Sequence, residues 1–166
     1  MAYSGRYKVI NVNKYDGDPT KIVYRSLWEK YCFIWCDTNA DILSWSSEEV
    51  IIPYYYDVDK KYHRYYPDLK LQLKNKTLLI EIKPDHETRP PAGQKRTKKY
   101  LNESMTYIKN MNKWKAAESY CKDRKWEFHI WTEDTLAEMG LLSKKMPGKF
   151  KKPLKRLPPY RKKSKK

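Results

Sequence analysis

Asp68, which follows Pro67, and the acid–lysine pair in Glu81-Ile82-Lys83 are the residues best placed by type and spacing to do chemistry. The segment from Thr77 to Lys83 reads as a strand, where side chains alternate between two faces. Glu81 and Lys83 therefore share one face, and Ile80 and Ile82 share the other. Ionisable groups on an apolar strand are costly to bury unless they are paired or bound to a metal. Asp68 opens the preceding strand, across a hairpin, within plausible reach of Glu81. Two carboxylates at short range repel, and a divalent cation relieves that repulsion. Oxygen donors select Mg²⁺, with Mn²⁺ as a substitute, over zinc. In such a site Asp68 and Glu81 hold the metal, with the Ile82 carbonyl as a further donor. The bound ion lowers the pKa of a water and takes up phosphate charge. Lys83 either orients that water or stabilises the transition state, and with a depressed pKa it could instead act as a base. The competing reading is a surface hairpin whose Glu81–Lys83 pair is solvated and worth little.

The neighbours of these segments extend the site. If the strand from Tyr62 to Leu73 is regular, Arg64, Tyr66 and Asp68 share a face, with His63 and Tyr65 on the opposite one. Arg64 is then a candidate phosphate contact, and His63 packs. Lys95, Arg96, Lys98 and Lys99 follow a proline-rich loop directly after Lys83, which suits contact with a nucleic-acid backbone as well as a plain solvated loop. Lys113 and Lys115 on the second helix are expected to face the same region. Of the two acids at Glu48 and Glu49, one is expected to pair with a basic residue.

The elements that must position these groups are readable in outline. Residues 1–20 form an N-terminal arm, extended or loosely packed, with a turn at Asp16-Gly17-Asp18-Pro19. Ser26 caps a helix to about Cys36, and Glu29 completes a capping box. Residues 42–45 and 49–53 read as strands, the second ended by Pro53, and 54–61 as a turn. A hairpin then joins 62–73 to 77–83. After a loop over 84–100, a helix spans about Asn102 to Arg124, with Tyr107, Met111, Trp114, Ala117 and Cys121 as its inner stripe. A strand follows at 126–130, then a short helix from Thr132 to Met139. This order predicts a mixed central sheet flanked by helices, in the α/β class, as one domain over residues 21–142.

Composition sets the partner. The 166 residues carry a net charge of +16. Twelve Lys or Arg and no acid lie in residues 143–166, so the rest is left with +4. This basic tail is too charged to pack, reads as disordered alone, and points to a polyanion, nucleic acid before an anionic membrane. Three cysteines without a nearby His pair exclude a disulfide framework and a zinc site, and suit a reducing compartment. No long apolar run marks a leader or a membrane span, so a cytoplasmic protein is expected.

Pro67-Asp68, then twelve residues, then Glu81-Ile82-Lys83 fits the PD-(D/E)xK nuclease pattern. Longer segments resemble the head-completion nuclease family of tailed phages. They include Tyr24-Arg25-Ser26-Leu27-Trp28-Glu29, Trp45-Ser46-Ser47-Glu48-Glu49, His63-Arg64-Tyr65-Tyr66-Pro67-Asp68 and Asn112-Lys113-Trp114-Lys115-Ala116-Ala117. The resemblance covers roughly residues 22–135. It implies a restriction-endonuclease-like fold, Mg²⁺-dependent DNA cleavage, action in the host cytoplasm or virion, and partners at the portal vertex of a filled capsid. It also implies that Glu29 joins the metal site. The same core is similar to an end-cleaving transposon subunit. A repair or transposition endonuclease, and a structural DNA- or portal-binding protein that keeps the fold without the chemistry, are the alternatives.

Overall fold

The computed structural model describes residues 3–142. The lysine-rich segment 143–166, expected to be disordered alone, lies outside the described residues. Among the described residues eight strands and three α-helices follow in chain order: β1 (Gly5–Arg6), β2 (Val23–Tyr24), α1 (Leu27–Thr38), β3 (Ser44–Ser46), β4 (Ile52–Tyr56), β5 (Lys61–Tyr65), β6 (Leu69–Gln72), β7 (Thr77–Ile82), α2 (Lys98–Arg124), β8 (Glu127–Trp131) and α3 (Glu133–Glu138).

The central sheet has the order β3-β6-β7-β8. Its first two pairings are antiparallel and β7–β8 is parallel, so the sheet is mixed. Every residue of β7 is buried, as a strand covered on both faces requires. Leu78, Ile80 and Ile82 pack into one core with α1, Trp45 and Trp131. Leu79 points the other way, into a core with Trp114, Ala117 and Cys121 of α2. Helices on opposite faces of a mixed sheet make this an α/β fold, as the sequence order predicts.

Three expectations need correction. Residues 3–20 are extended but not loosely packed: Tyr7 and Tyr15 are buried. The Asp37 carboxylate at the end of α1 accepts from the Tyr7 hydroxyl at 2.8 Å and from the Ile10 and Asn11 amides. A buried carboxylate needs such donors, and here they come from the arm. Second, Tyr62–Leu73 is not one strand. It breaks at Tyr66-Pro67-Asp68 into β5, which pairs only with β4, and β6, which belongs to the central sheet. Proline has no ladder N–H to offer at that point. Pro53 likewise lies inside β4 rather than ending a strand, which is tolerated because β4 is an edge strand. Third, α2 starts at Lys98 inside the expected loop, with the Thr97 hydroxyl accepting from the Tyr100 amide at 3.1 Å. Its buried positions are Asn110, Trp114, Ala117 and Cys121. Met111, about 100° round the helix from Asn110, stays 40% exposed.

The β4–β5 ribbon lies against α2. Ile52, Tyr54, Tyr56 and Tyr65 turn toward the helix and are buried in the core it shares with the sheet. The alternate residues face outward, as strand geometry demands.

Candidate active site

Strand register decides where the two carboxylates meet. Leu69 pairs with Ile80 in the β6–β7 ladder, which sets Asp68 opposite Glu81 one step further on. Leu69 and Leu71 join the α1-side core, so Asp68 by alternation stands on the α2 side with Glu81. Asp68 Oδ2 accepts from the Ile82 amide at 2.7 Å. That bond fixes the carboxylate at the end of the ladder. Lys83 continues the line of β7, its amide donating to the Trp131 carbonyl at 2.9 Å. Its ammonium lies 3.7 Å from Glu81 Oε1 and 3.8 Å from Glu87 Oε2.

These groups open onto a cleft of about 330 Å³ lined by polar side chains. Glu29, Arg64, Asp68, Glu81, Ile82, Lys83 and Lys113 all line it. The solvated-hairpin reading fails for Glu81, which is 6% exposed. Lys95, Arg96, Lys98 and Lys99 are exposed and do not line the cleft; Lys99 pairs loosely with Glu103. His63 stacks on Tyr54 and bonds to Asp59 at the far end of the ribbon, clear of the cleft.

Burial pushes both central acids upward, and at Asp68 repulsion adds to it. Desolvation raises the Asp68 pKa well above the usual carboxylate range; Glu81 and Glu29 add to the rise, against the Ile82 amide and Lys83. Desolvation also raises Glu81, opposed by the Tyr65 hydroxyl, Lys83 and Lys113. Lys113, half-buried against Glu81 and the rings of Tyr54 and Tyr65, is pushed down mainly by its own desolvation. The result is a buried Glu81 beside a half-buried Asp68, flanked by two lysines, a set that favours either protons or a cation between the carboxylates.

Glu29 is engaged differently. Its Oε2 accepts from the Arg25 amide at 2.8 Å, and its Oε1 from the Ser26 hydroxyl at 3.2 Å, while its own amide donates to Ser26 Oγ. Ser26 thus caps the helix, but the reciprocal half of the expected capping box goes to the Arg25 amide, one residue before the cap, and the same carboxylate stands in the cleft wall. Among the described residues no three Asp, Glu, His or Cys side chains form a ready metal-holding group. Asp68, Glu81 and the Ile82 carbonyl nonetheless offer an all-oxygen set with two carboxylates, a donor chemistry that fits Mg²⁺ or Mn²⁺.

Residue alternation alone missed Tyr65 and Arg25. Tyr65 was assigned to the face away from Asp68, yet its hydroxyl donates to Glu81 Oε2 at 2.5 Å. The break at Pro67 brings the ribbon's α2-facing side and the α2 face of the sheet to the same point. Arg25 lines the cleft mouth, bonded to both Glu48 oxygens at 3.2 and 3.0 Å. Glu48 reaches it from a left-handed backbone, φ 54°. The Ser-Ser-Glu-Glu spacing flagged that acid as a pairing partner but carried nothing about which base it meets.

Residues 39–133, more than half of the chain, match the family model described as TnsA-like endonuclease N terminal. Asp68, Glu81, Lys83 and Lys113 fall within that match and Glu29 precedes it. The chain is also 42% identical over 146 residues to the head completion nuclease of Enterobacteria phage T4, an alignment covering 84% of this chain and 97% of that protein. No helix among the described residues is long and apolar enough to cross a membrane.

Proposed function

This chain belongs to the TnsA-like N-terminal endonuclease family and is a relative of a head completion nuclease, and from that premise we propose that it hydrolyses DNA phosphodiesters with a divalent cation at the Asp68–Glu81 pair. The observation that carries the reading is the register of β6 and β7, which sets two carboxylates opposite each other with Lys83 3.7 Å from one of them. Asp68, Glu81 and the Ile82 carbonyl would hold Mg²⁺ or Mn²⁺, and Glu29 would assist from the cleft wall. A bound cation there supplies a water of lowered pKa and charge for the phosphate oxygens.

The chain's own groups do the rest. The Tyr65 hydroxyl and Ile82 amide each hold one carboxylate oxygen, so the remaining oxygens face the cleft. Lys83, tied between Glu81 and Glu87, stands where it can orient the attacking water or meet charge on the phosphate. Lys113 and Arg64 add cations to the same wall, and guanidinium and ammonium groups are the usual phosphate contacts. The exposed Lys95, Arg96, Lys98 and Lys99 would meet the DNA backbone outside the cleft.

The relative is named for head completion, and the reading extends to this chain a setting of that kind: action on DNA at a filled phage head, in the host cytoplasm or virion, beside capsid or portal proteins. The test is cleavage of plasmid DNA by the purified chain with Mg²⁺ and with EDTA. Activity with Mg²⁺ that disappears in Asp68→Ala and in Lys83→Ala, both folded, is the expected result. Wild-type activity in both variants would overturn the site.

A further inference from the structure

The outer face of the β4–β5 ribbon is an exposed aromatic surface that the cleft chemistry does not use. Tyr55 and Tyr62 are cross-strand neighbours with ring centroids 5.3 Å apart, and Tyr62 is 76% exposed. Tyr66 and Ile51 are also exposed, and Arg64 stands outward opposite Pro53. Single exposed aromatics are ordinary, but a contiguous set marks a binding surface. This set runs into the cleft, since Arg64 and Tyr66 belong to both.

We propose that this face stacks the unpaired bases of a single DNA strand and delivers its backbone to the Asp68–Glu81 cleft, so that the substrate is a DNA end or junction with a single-stranded stretch. The inference rests on the nuclease reading and names its substrate class. Phenol rings have no charge for phosphates, but they stack on any base whose face is free, which a duplex does not offer. Same-face residues along a strand are about 6.7 Å apart, roughly twice the 3.4 Å step of stacked bases. One base therefore fits between the Tyr62 ring and the Arg64 guanidinium, both of which stack without regard to sequence.

Charge agrees with this occupant. Two acids stand at the ribbon tip, but both turn to the helix side. Asp57 is held by Asn112, with side-chain and backbone bonds of 2.8 and 3.0 Å. Asp59 is held by His63, at 2.6 Å. The outward row is left with Arg64 as its charged member.

The experiment is fluorescence anisotropy of a labelled single strand and of a blunt duplex, in EDTA so that neither is cut. Against the wild type, Tyr55→Ala/Tyr62→Ala should weaken single-strand binding by about 5- to 100-fold and leave duplex binding unchanged. Tyr62→Phe should bind as the wild type does. Tyr62→Lys separates stacking from charge: weaker single-strand binding supports the proposal, and tighter binding overturns it. Unchanged binding in the double variant also overturns it, as does a variant that binds normally but turns a dimer into a monomer by light scattering, which would make the face a contact between copies. Asp68-dependent plasmid cleavage is read separately. If cleavage stands while the ribbon variants bind normally, only the ribbon proposal fails; if no DNA is cut, the nuclease reading fails by itself.

Discussion

Tyr65→Phe isolates one hydrogen bond in the site. The ring stays, with its packing against α2 and its place 5.5 Å under the Lys113 ammonium. The lost group is the hydroxyl donating to Glu81 Oε2 at 2.5 Å, in a buried setting. A hydrogen bond to a charged group contributes about 1.5–3 kcal/mol, and a buried acceptor left without its donor costs a similar amount. In a domain of this size that is a fall in Tm of roughly 3–12 °C. The loss depends on pH in a defined sense. Burial raises the Glu81 pKa in the fold and Tyr65 holds it down. A carboxyl whose folded pKa lies above its unfolded value loses stability as pH rises toward that folded value. Removing the hydroxyl penalises the ionised form alone. The difference between variant and wild type should therefore vanish below the unfolded carboxylate range and grow through and above the folded pKa of Glu81. Urea melts in EDTA at pH 4 and pH 8, about the limits of the ordinary carboxylate and near-neutral ranges, read it directly. A constant difference at both pH values, or none at pH 8, would refute the claim that Tyr65 supports an ionised Glu81.

Three further outcomes follow from the same geometry. Asp68→Asn keeps an acceptor for the Ile82 amide and removes one of two repelling acids. In EDTA at pH 8 it should melt higher than the wild type, converge with it at low pH, and lose cleavage; a lower melt at pH 8 would show that Asp68 is not under strain without a cation. Glu29→Gln keeps one oxygen to accept from the Arg25 amide, and its NH2 can donate to Ser26 Oγ in place of the second bond, so its stability should stay within a few tenths of a kcal/mol while Mg²⁺-dependent cleavage drops, whereas Ser26→Ala should cost about 1 kcal/mol of stability and keep cleavage; full cleavage by Glu29→Gln confines Glu29 to the cap. Lys113→Met keeps the buried stem and removes the charge, so DNA binding should weaken and the slope of log K against log salt should fall by about one; an unchanged slope would mean that Lys113 serves only Glu81.

What was legible in the sequence was what strand and helix periods encode. Ile80-Glu81-Ile82-Lys83 alternates so plainly that its facing could be read before its partners were known. Ser26 announced the start of α1, and Trp114, Ala117 and Cys121 announced the inner face of α2. What stayed hidden depended on where the chain changes sheets. Tyr62–Leu73 has the alternation of one strand, and period alone cannot say that Pro67 divides it between a ribbon and the central sheet. The N-terminal arm was misread for a related reason. Its apolar residues, Tyr7 and Tyr15, are widely spaced and show no period, but each is an aromatic with a hydroxyl that finds a partner, Asp37 or the Ser47 and Glu49 region.

That division at Pro67 is what makes the site. Were residues 62–73 one strand, Tyr65 and Asp68 would lie on opposite faces and could not both serve Glu81. Because β5 lies against α2 and β6 lies in the sheet, the two residues between Tyr65 and Asp68 span the corner between the two layers. Tyr65 then reaches Glu81 from the ribbon while Asp68 meets it along the ladder. The same corner places Arg64 and Tyr66 where the outer ribbon face becomes the cleft wall. A single interruption therefore joins the acids, their hydrogen-bond support and the exposed tyrosines, which is why His63 to Asp68 carries chemistry as a block rather than as one aspartate.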